Sequence, residues 1–353
     1  MSFSQVGGHP NSIQLTEDGS LLIKPALPLE HEFYTLMAQA RAMDTMGLAG
    51  DFYGTLREEN IDVETLDVDS KDIGEGGIGA MMLKNTSNAM HLVLSNLLHS
   101  FTKPNVLDLK LGTVLYDELD VECSEAKKAR MIKTARETTS GVCGVRITGF
   151  QVRHFSKQLT PIITTKSYGK SLKKEQLPEG TRRVFPVLGE PPRTDLGLPP
   201  DLLLPILRSI HTSLTHLHSI MKEVELRMVG GSLLVLWEGD EQRAREGVEW
   251  MKEREIKITE RIRQEADVEE NEDDDSEYLD SDDDDEGDTS SDEDDENPSA
   301  PYALSLIDFA HTRFVPGQGP DLGVLLGLDT FAKLIEGRIL EVEDIEVGGQ
   351  GLR

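Results

Sequence analysis

The chain has 353 residues, 37% of them hydrophobic, and a formal net charge of −29 at pH 7. Twenty acidic residues and no lysine or arginine lie between Asp267 and Glu296, so removing these twenty charges from −29 leaves −9 for the remainder. The length allows one large domain or two smaller ones, and nothing in the lysine and arginine distribution resembles a nucleic-acid-binding surface.

The N-terminal segment, the apolar stretches and the cysteines also limit the class of protein that this chain can be. The N-terminus, Met1–Gln5, has no basic region followed by an apolar run, so we expect no signal peptide. No apolar stretch approaches the ~20 residues that span a bilayer. Cys123 and Cys143 are the two cysteines, which excludes a disulfide framework and favours a reducing compartment.

The first hundred residues predict a β-rich region with one helix. Residues 12–24 alternate around a turn at 17–19 and predict a hairpin. Apolar residues at helical spacing predict a helix over 29–43. Further strands are predicted near 49–53 and 91–94, with a polar, Gly-rich loop at 55–83 between them.

A glycine motif lies in that loop. Gly74–Gly79 fits the spacing G-x-G-x-x-G of dinucleotide-binding turns. The preceding segment, Asp67–Asp72, is largely charged, whereas that fingerprint follows an apolar strand. We therefore interpret the motif as a flexible turn.

The remainder of the chain mixes helices and strands. Helices are predicted at 124–138, 200–227 and 321–335, and strands at 106–109, 142–152, 232–237 and 303–307. The overall order indicates an α+β fold with a small N-terminal lobe, residues 1–97, and a larger C-terminal lobe, residues 98–353. A ligand is expected in the cleft between the lobes.

Two apolar strands carry charged side chains at their ends. One lies within Pro104–Gly112 and carries Asp108 and Lys110, and the other ends at Asp308. Because an unpaired charge there is costly, we expect a metal ion, a phosphate or a substrate hydroxyl beside them. For Asp308 the alternative is a helix N-cap. Two aspartates and one lysine at strand ends are the minimum equipment for phosphoryl transfer.

Five segments resemble, in the same order, motifs of the inositol polyphosphate kinases. They are Val6–His9, Pro104-x-x-x-Asp108-x-Lys110-x-Gly112, Tyr168–Leu172, Ser232–Leu234 and Ile307–His311. Gly231 departs from the family, where a first serine precedes Ser232. The short segment between Gly112 and Val142, and the acidic insertion before Ile307, are similar to the fungal multikinase branch.

The resemblance implies a two-lobed, kinase-like fold with ATP in the cleft and Mg²⁺ as cofactor. It implies ATP contacts from Lys24, Ser95, Leu97, Asp108 and Asp308, metal binding by Asp308 and Ser232, and catalysis by Asp108 and Lys110. The division of roles between Asp108 and Lys110 stays open, and the alternative for Lys24 is a solvated lysine at a strand end.

The resemblance also implies an inositol phosphate as acceptor. Its expected contacts are Lys110, the basic helix at about 124–138 with Lys127, Lys128, Arg130 and Lys133, and also Lys170 and His311. A cluster of bases would focus an anionic substrate. The alternatives are a solvated face for the helix and a structural role for His311.

The activity implied is phosphorylation of inositol trisphosphate and tetrakisphosphate towards the pentakisphosphate. The alternatives are a hexakisphosphate kinase or a nuclear interaction protein with a secondary kinase site. The acidic insertion, residues 266–299, is expected to be disordered, either as a solubilising insertion or as a docking site for basic nuclear proteins. We expect a monomer, no nucleic-acid binding, and a location in the nucleus and cytoplasm.

Overall fold

A computed structural model of the chain describes residues 13–39, 50–57, 90–121, 123–155, 160–269 and 299–350. Several predictions fall outside these ranges: residues 40–43 of the first helix, the loop from 58 to 83 with Gly74–Gly79, the segment Val6–His9, and the acidic tract from 270 to 298. Within the described ranges, no helix has the length and apolar character needed to cross a membrane.

The N-terminal part of the chain forms a four-stranded sheet with one helix. Its strands are β1 (Gln14–Leu15), β2 (Leu21–Pro25), β3 (Phe52–Arg57) and β4 (Met90–Ser95), in the antiparallel order β1-β2-β4-β3. Helix α1 (Pro28–Gln39) follows β2 and buries Phe33, Tyr34 and Met37. The predicted hairpin and helix are confirmed.

A five-stranded antiparallel sheet forms the centre of the larger part. Its order is β10-β9-β5-β6-β7, from β5 (Pro104–Leu111), β6 (Val145–Val152), β7 (Ile162–Thr164), β9 (Ser232–Glu238) and β10 (Tyr302–Ile307). A small pair joins β8 (Leu226–Met228) to β11 (Thr312–Phe314). Alternation along β5 sends Leu107, Leu109 and Leu111 into the core and leaves Asp108 and Lys110 on the opposite face.

The described residues after β5 also form helices. They are α2 (Glu125–Glu137), α3 (Thr139–Cys143), α4 (Lys166–Ser171), α5 (Leu177–Val184), α6 (Pro200–Glu223), α7 (Glu241–Glu269) and α8 (Leu322–Gln350), with a 3₁₀ turn at Lys174–Gln176. The apolar stripe predicted for α6 is confirmed, since nine of its residues from Leu202 to Met221 are buried. One contiguous core reaches from α1 through β5 to α8.

Several boundaries differ from the sequence prediction. The strand expected at 49–53 is β3, which begins at Phe52 and takes residues 55–57 from the predicted loop. Val142 and Cys143 end α3 instead of starting a strand, and the helix predicted to reach 227 ends at Glu223. Helix α7 was not predicted, and it runs to Glu269, three residues into the acidic tract.

Candidate active site

Asp108 and Lys110 lie on the face of β5 that looks away from the core. Asp108 pairs with Leu234 of β9 and with Gly149 of β6, and Lys110 pairs with Ser232 and Arg146. The register between β5 and β6 shifts immediately after Asp108, which leaves Thr148 as the extra residue of a bulge. Bulges of this kind re-aim side chains next to functional sites.

Asp108 is a buried carboxylate with an incomplete set of partners. Its side chain accepts a hydrogen bond from Ser232, yet its Oδ1 atom is buried without a hydrogen-bond partner among the described residues. Burial, reinforced by the charge of Asp308, raises the pKa of Asp108 to about 6 against the lowering effect of Ser232. The carboxyl group is therefore poised to exchange a proton or accept a hydrogen bond close to neutral pH.

Lys110 is the cation beside this carboxylate. Its Nζ donates to the carbonyl oxygen of Gly230. Burial lowers the pKa of Lys110, while the charges of Asp308 and Asp108 oppose that shift. Gly231 follows Gly230, and a side chain at position 231 would overlap the Met228 side chain. Packing thus gives a reason why this chain has glycine where the family has the first serine.

Asp308 lies on a tight turn between β10 and β11. Its φ of 65° is the one positive value at a described non-glycine residue, a backbone strain that is often found at functional sites. The next residue, Phe309, stacks on Phe33 with ring centroids 4.6 Å apart and meets Tyr34 edge-on at 5.4 Å. Packing of Phe309 against α1 thus holds Asp308 in place, and the N-cap interpretation is wrong because no helix begins there.

Lys24 connects Asp308 to α1. Its Nζ lies 2.9 Å from Oδ1 of Asp308 and 2.8 Å from Oε1 of Glu30. Burial disfavours the charge of Lys24, but the two carboxylates outweigh burial and raise its pKa. Glu30 also accepts a hydrogen bond from the Phe309 backbone, and burial raises the pKa of Glu30. The solvated-lysine interpretation of Lys24 is wrong.

Glu30 was missed by the sequence analysis. In the first turn of α1 it looks like an ordinary acidic residue near a helix N-terminus, but it is only 1% exposed. A lysine on a strand that pairs with a glutamate on the following helix is the arrangement by which protein kinases hold ATP phosphates. The sequence did hold one signal for this role: Glu30 lies on the same face of the helix as Phe33 and Met37, which are buried.

The connection between the two sheets runs from Asn96 to Lys103. Asn96 donates through Nδ2 to the carbonyl of Gly19 at 2.7 Å, and the Ser95 hydroxyl accepts from the Asp51 N–H at 2.9 Å. Leu97 packs against a small apolar cluster of Phe101, Val106 and Leu236. Val106 precedes Asp108 on the same face of β5, so the cleft changes from apolar to charged along one strand.

Two further cations act on the site and were not predicted. Arg146 of β6 is 7% exposed, and Lys166 begins α4. The charges of both are felt by Lys110, and that of Lys166 lowers the pKa of Asp108. Lys170, the predicted residue, is exposed one turn farther along α4. Gly169 lets α4 lie directly on β6, because a side chain there would overlap the Ile147 carbonyl.

The basic helix forms where it was predicted, but none of its residues is buried. Lys127 lies 3.5 Å from Asp120, the ammonium of Lys128 lies 5.3 Å from the Tyr116 ring centroid, and Lys133 pairs with Glu137 at 3.9 Å. Arg130 is exposed. His311 lies 3.8 Å from Asp117. The structure places α2 and His311 on segments that flank β5 and Asp308.

The carboxylates fit a hard divalent cation. The side chain of Asp308 is 43% exposed and contacts the ammonium of Lys24. The Oδ1 atom of Asp108 is buried and has no hydrogen-bond partner among the described residues. In the described part of the chain no three His, Cys, Asp or Glu residues form a metal-binding group. Mg²⁺ typically uses one or two carboxylates and completes its shell with phosphates and water. Ser232 hydrogen-bonds Asp108, and its predicted metal contact stays a prediction.

Comparisons with known proteins show which family this chain matches. The sequence profile described as inositol polyphosphate kinase matches residues 91–336. The inositol polyphosphate multikinase of Saccharomyces cerevisiae is 29% identical, over 92% of this chain and 94% of that protein. The crystal structure of the Saccharomyces cerevisiae inositol phosphate multikinase with ADP and Mn²⁺ superposes with a TM-score of 0.55 and 25% identity, covering 91% of this chain and 100% of that one.

Relatives from a second branch match over less of their length. Human inositol hexakisphosphate kinase 1 is 28% identical over 69% of this chain and 52% of that protein. Mouse inositol hexakisphosphate kinase 3 is 30% identical over 44% of this chain and 36% of that protein.

Proposed function

Because this chain belongs to the inositol polyphosphate kinase family, we propose that it is a multikinase that transfers the γ-phosphoryl group of ATP to inositol trisphosphate and tetrakisphosphate. The observation that carries the proposal is that Asp308 contacts Lys24 and lies close enough to Asp108 and Lys110 for its charge to act on both. Phosphoryl transfer requires mainly positioning and charge, and this set supplies both.

The nucleotide is expected along β5. The apolar cluster around Leu97, Val106 and Leu236 would take the adenine, with backbone groups near Ser95 for its hydrogen bonds. Lys24 would then hold phosphate oxygens as a point charge. Glu30 keeps that ammonium in position from a buried site.

Asp308 would hold Mg²⁺. When bound, the ion supplies positive charge that offsets the negative charge developing on the transferred group. The turn at Asp308 is fixed by Phe309, so the carboxylate is preorganised. Lys24 must share or give up its contact with Asp308 when the ion is present.

The acceptor is expected on the side of Lys110. Lys110, Arg146 and Lys166 converge there, and their charge would bind phosphates of an inositol ring. Asp108, with a pKa of about 6, would accept a hydrogen bond from the attacking hydroxyl and take its proton. The bases of α2 and His311 would extend this positive region.

The extent of the alignments supports the multikinase branch over the hexakisphosphate kinases. The yeast multikinase aligns over nearly its full length, whereas the hexakisphosphate kinases align over about half or less of theirs.

Substrate preference tests the proposal. Purified protein with ATP and Mg²⁺ is offered the tris-, tetrakis-, pentakis- and hexakisphosphate in parallel, and the products are separated by anion exchange. We expect turnover of the first two and accumulation of the pentakisphosphate. Turnover of the hexakisphosphate alone would assign the second branch, and no turnover of any of them would refute the proposal.

The acidic tract and location are separate proposals. From composition, we propose that residues 267–296 serve as a solubilising insertion that can dock basic nuclear proteins, and that the monomeric protein works in nucleus and cytoplasm. Ser281 and Ser291 resemble sites of acidophilic kinases. Deletion of 267–296 should leave turnover largely intact. Imaging of the tagged chain tests the location, and exclusion from the nucleus would contradict it.

A further inference from the structure

One buried carboxylate, Asp117, ties the loop after β5 to the segment after Asp308. Both of its oxygens accept hydrogen bonds from Nη1 of Arg313 at 2.8 Å, and Oδ2 lies 3.8 Å from Nδ1 of His311. The Asp117 side chain is only 3% exposed, so solvent and salt screen this contact much less than a surface pair. Asp117 and Arg313 are 196 positions apart in the sequence.

Asp117 also shapes the entry into the basic helix. Its Oδ1 accepts from the Leu119 N–H at 3.0 Å, and its carbonyl accepts from the Asp120 N–H at 3.3 Å. Asp120 is the residue that contacts Lys127, and Tyr116 is the residue beneath Lys128. The turn at Asp117 therefore sets the start of α2 and the side chains that meet its first two lysines.

A carboxylate so close to a site for polyanions would repel the ligand if its charge were uncompensated. Arg313 compensates that charge, because its Nη1 donates to both oxygens. The pair anchors β11 only five residues beyond Asp308, and His311 lies between the two. Asp117 is thus connected to the metal-binding turn on one side and to the bases of α2 on the other.

We infer that Asp117 is a positioning residue that aligns His311 and the first turn of α2 for binding the inositol phosphate. The inference rests on the proposed function and adds a residue that contacts neither ATP nor the reacting atoms. It requires that loss of Asp117 harms use of the inositol phosphate and spares use of the nucleotide. A purely structural role would instead affect both substrates or only the thermal stability.

The test compares Asp117→Asn with Asp195→Asn. Asp195 forms a similar contact with a histidine, His154, 2.8 Å away and beyond the opposite end of β6 from Arg146. We expect Asp117→Asn to raise the KM for inositol trisphosphate roughly tenfold, the size of losing one charge-assisted hydrogen bond. The KM for ATP and the affinity for ADP with Mn²⁺ should stay at wild-type values, and Asp195→Asn should change none of the three.

Two further variants keep the inference falsifiable if Asp117→Asn folds poorly. Arg313→Lys retains the charge but removes the guanidinium Nη1 that lies 2.8 Å from both oxygens, and it should raise the same KM by a smaller factor. Combining Asp117→Asn with His311→Gln should raise the KM by less than the product of the two single increases, because part of the effect of Asp117 passes through His311.

The outcomes separate the two claims. Wild-type protein that phosphorylates no inositol phosphate overturns the proposed function and this inference together. Wild-type turnover with an unchanged KM for inositol trisphosphate in Asp117→Asn and Arg313→Lys overturns only the role of Asp117. Equal increases in the KM values of both substrates would also overturn it.

Discussion

Lys24 and Asp308 are separated by 284 residues, and the ammonium of one lies 2.9 Å from a carboxylate oxygen of the other. This contact joins the four-stranded sheet to the turn that follows β10. Lys24 thereby takes the place beside Asp308 that a metal ion would take in the loaded enzyme. Binding of the nucleotide and metal is expected to transfer Lys24 from Asp308 to phosphate, with Glu30 as its constant partner.

Glu30→Gln tests this arrangement. Without the buried carboxylate, Lys24 loses a charge-assisted hydrogen bond worth about 1.5 kcal/mol, so the KM for ATP should rise roughly tenfold. Steady-state kinetics at varied ATP measure the effect. Glu32→Gln, on the exposed side of the same helix, is the matched control and should match the wild type. A wild-type KM for ATP in Glu30→Gln would contradict the role given to Glu30.

The pH dependence of activity should report Asp108. Because its pKa is raised to about 6, the carboxylate is protonated at lower pH and cannot take the proton of the acceptor hydroxyl. We expect kcat/KM for inositol trisphosphate to fall as the pH drops through about 6. Asp108→Asn should retain little activity, and the activity that remains should not fall as the pH drops through about 6. Titration of the substrate phosphates would instead affect the wild type and Asp108→Asn alike.

The same group affects stability with the opposite sign. Its folded-state pKa lies above the unfolded value of 3.8, so folding becomes less favourable as the pH rises from about 4 to 6, and the cost is complete above 6. The shift of about two units corresponds to at most roughly 3 kcal/mol. Asp108→Asn should therefore melt higher than the wild type at pH 8 and equally at pH 4. A lower Tm at pH 8 would contradict the account.

Some parts of this site could be predicted from sequence and some could not. The apolar strands that carry Asp108, Lys110 and Asp308 were recognisable from local pattern, and their meeting at one site was expected from the family resemblance. Glu30, Arg146 and Asp117 were missed because their roles depend on burial, and an acidic or basic residue in a helix or strand reads as solvated until packing is known.

The fold shows the same division. Helix α6 was predicted because its apolar residues recur at helical spacing, and nine of its residues are buried. Helix α7 was missed because it is largely exposed and charged: where burial is described along it, Ala244, Gly247 and Val248 are buried, and Ile256 and Ile258 are exposed. Helix α8 continues well beyond the predicted residue 335, since Val342 is still buried in the core.

Lys166→Ala and Lys170→Ala distinguish two lysines of one short helix. Both lysines are exposed, but the charge of Lys166 acts on Asp108 and Lys110, and Lys170 lies one turn farther along α4. We expect Lys166→Ala to raise the KM for inositol trisphosphate by roughly tenfold, as for loss of a charged phosphate contact. Lys170→Ala serves as the control. A larger effect at Lys170 would favour the substrate contact predicted for Lys170 and contradict the role given to Lys166.

Gly169→Ala tests the packing that brings α4 to the site. An added Cβ would overlap the Ile147 carbonyl oxygen, so α4 must move off β6. Thermal melting should show destabilisation of about 2 kcal/mol or more. Gly337→Ala in α8, where a Cβ meets nothing within 4 Å, should be neutral or stabilising by up to about 1 kcal/mol. Equal melting of Gly169→Ala and the wild type would contradict the tight approach.

The central claim is that Asp308 and its neighbours form a phosphoryl-transfer site. The most direct measurement is transfer of label from γ-labelled ATP to inositol trisphosphate by wild-type protein and by Asp308→Asn, with equal folding verified by circular dichroism. The account predicts transfer by the wild type and a loss of more than about a hundredfold in Asp308→Asn, from lost charge stabilisation of the transition state. Wild-type rates in Asp308→Asn would contradict it.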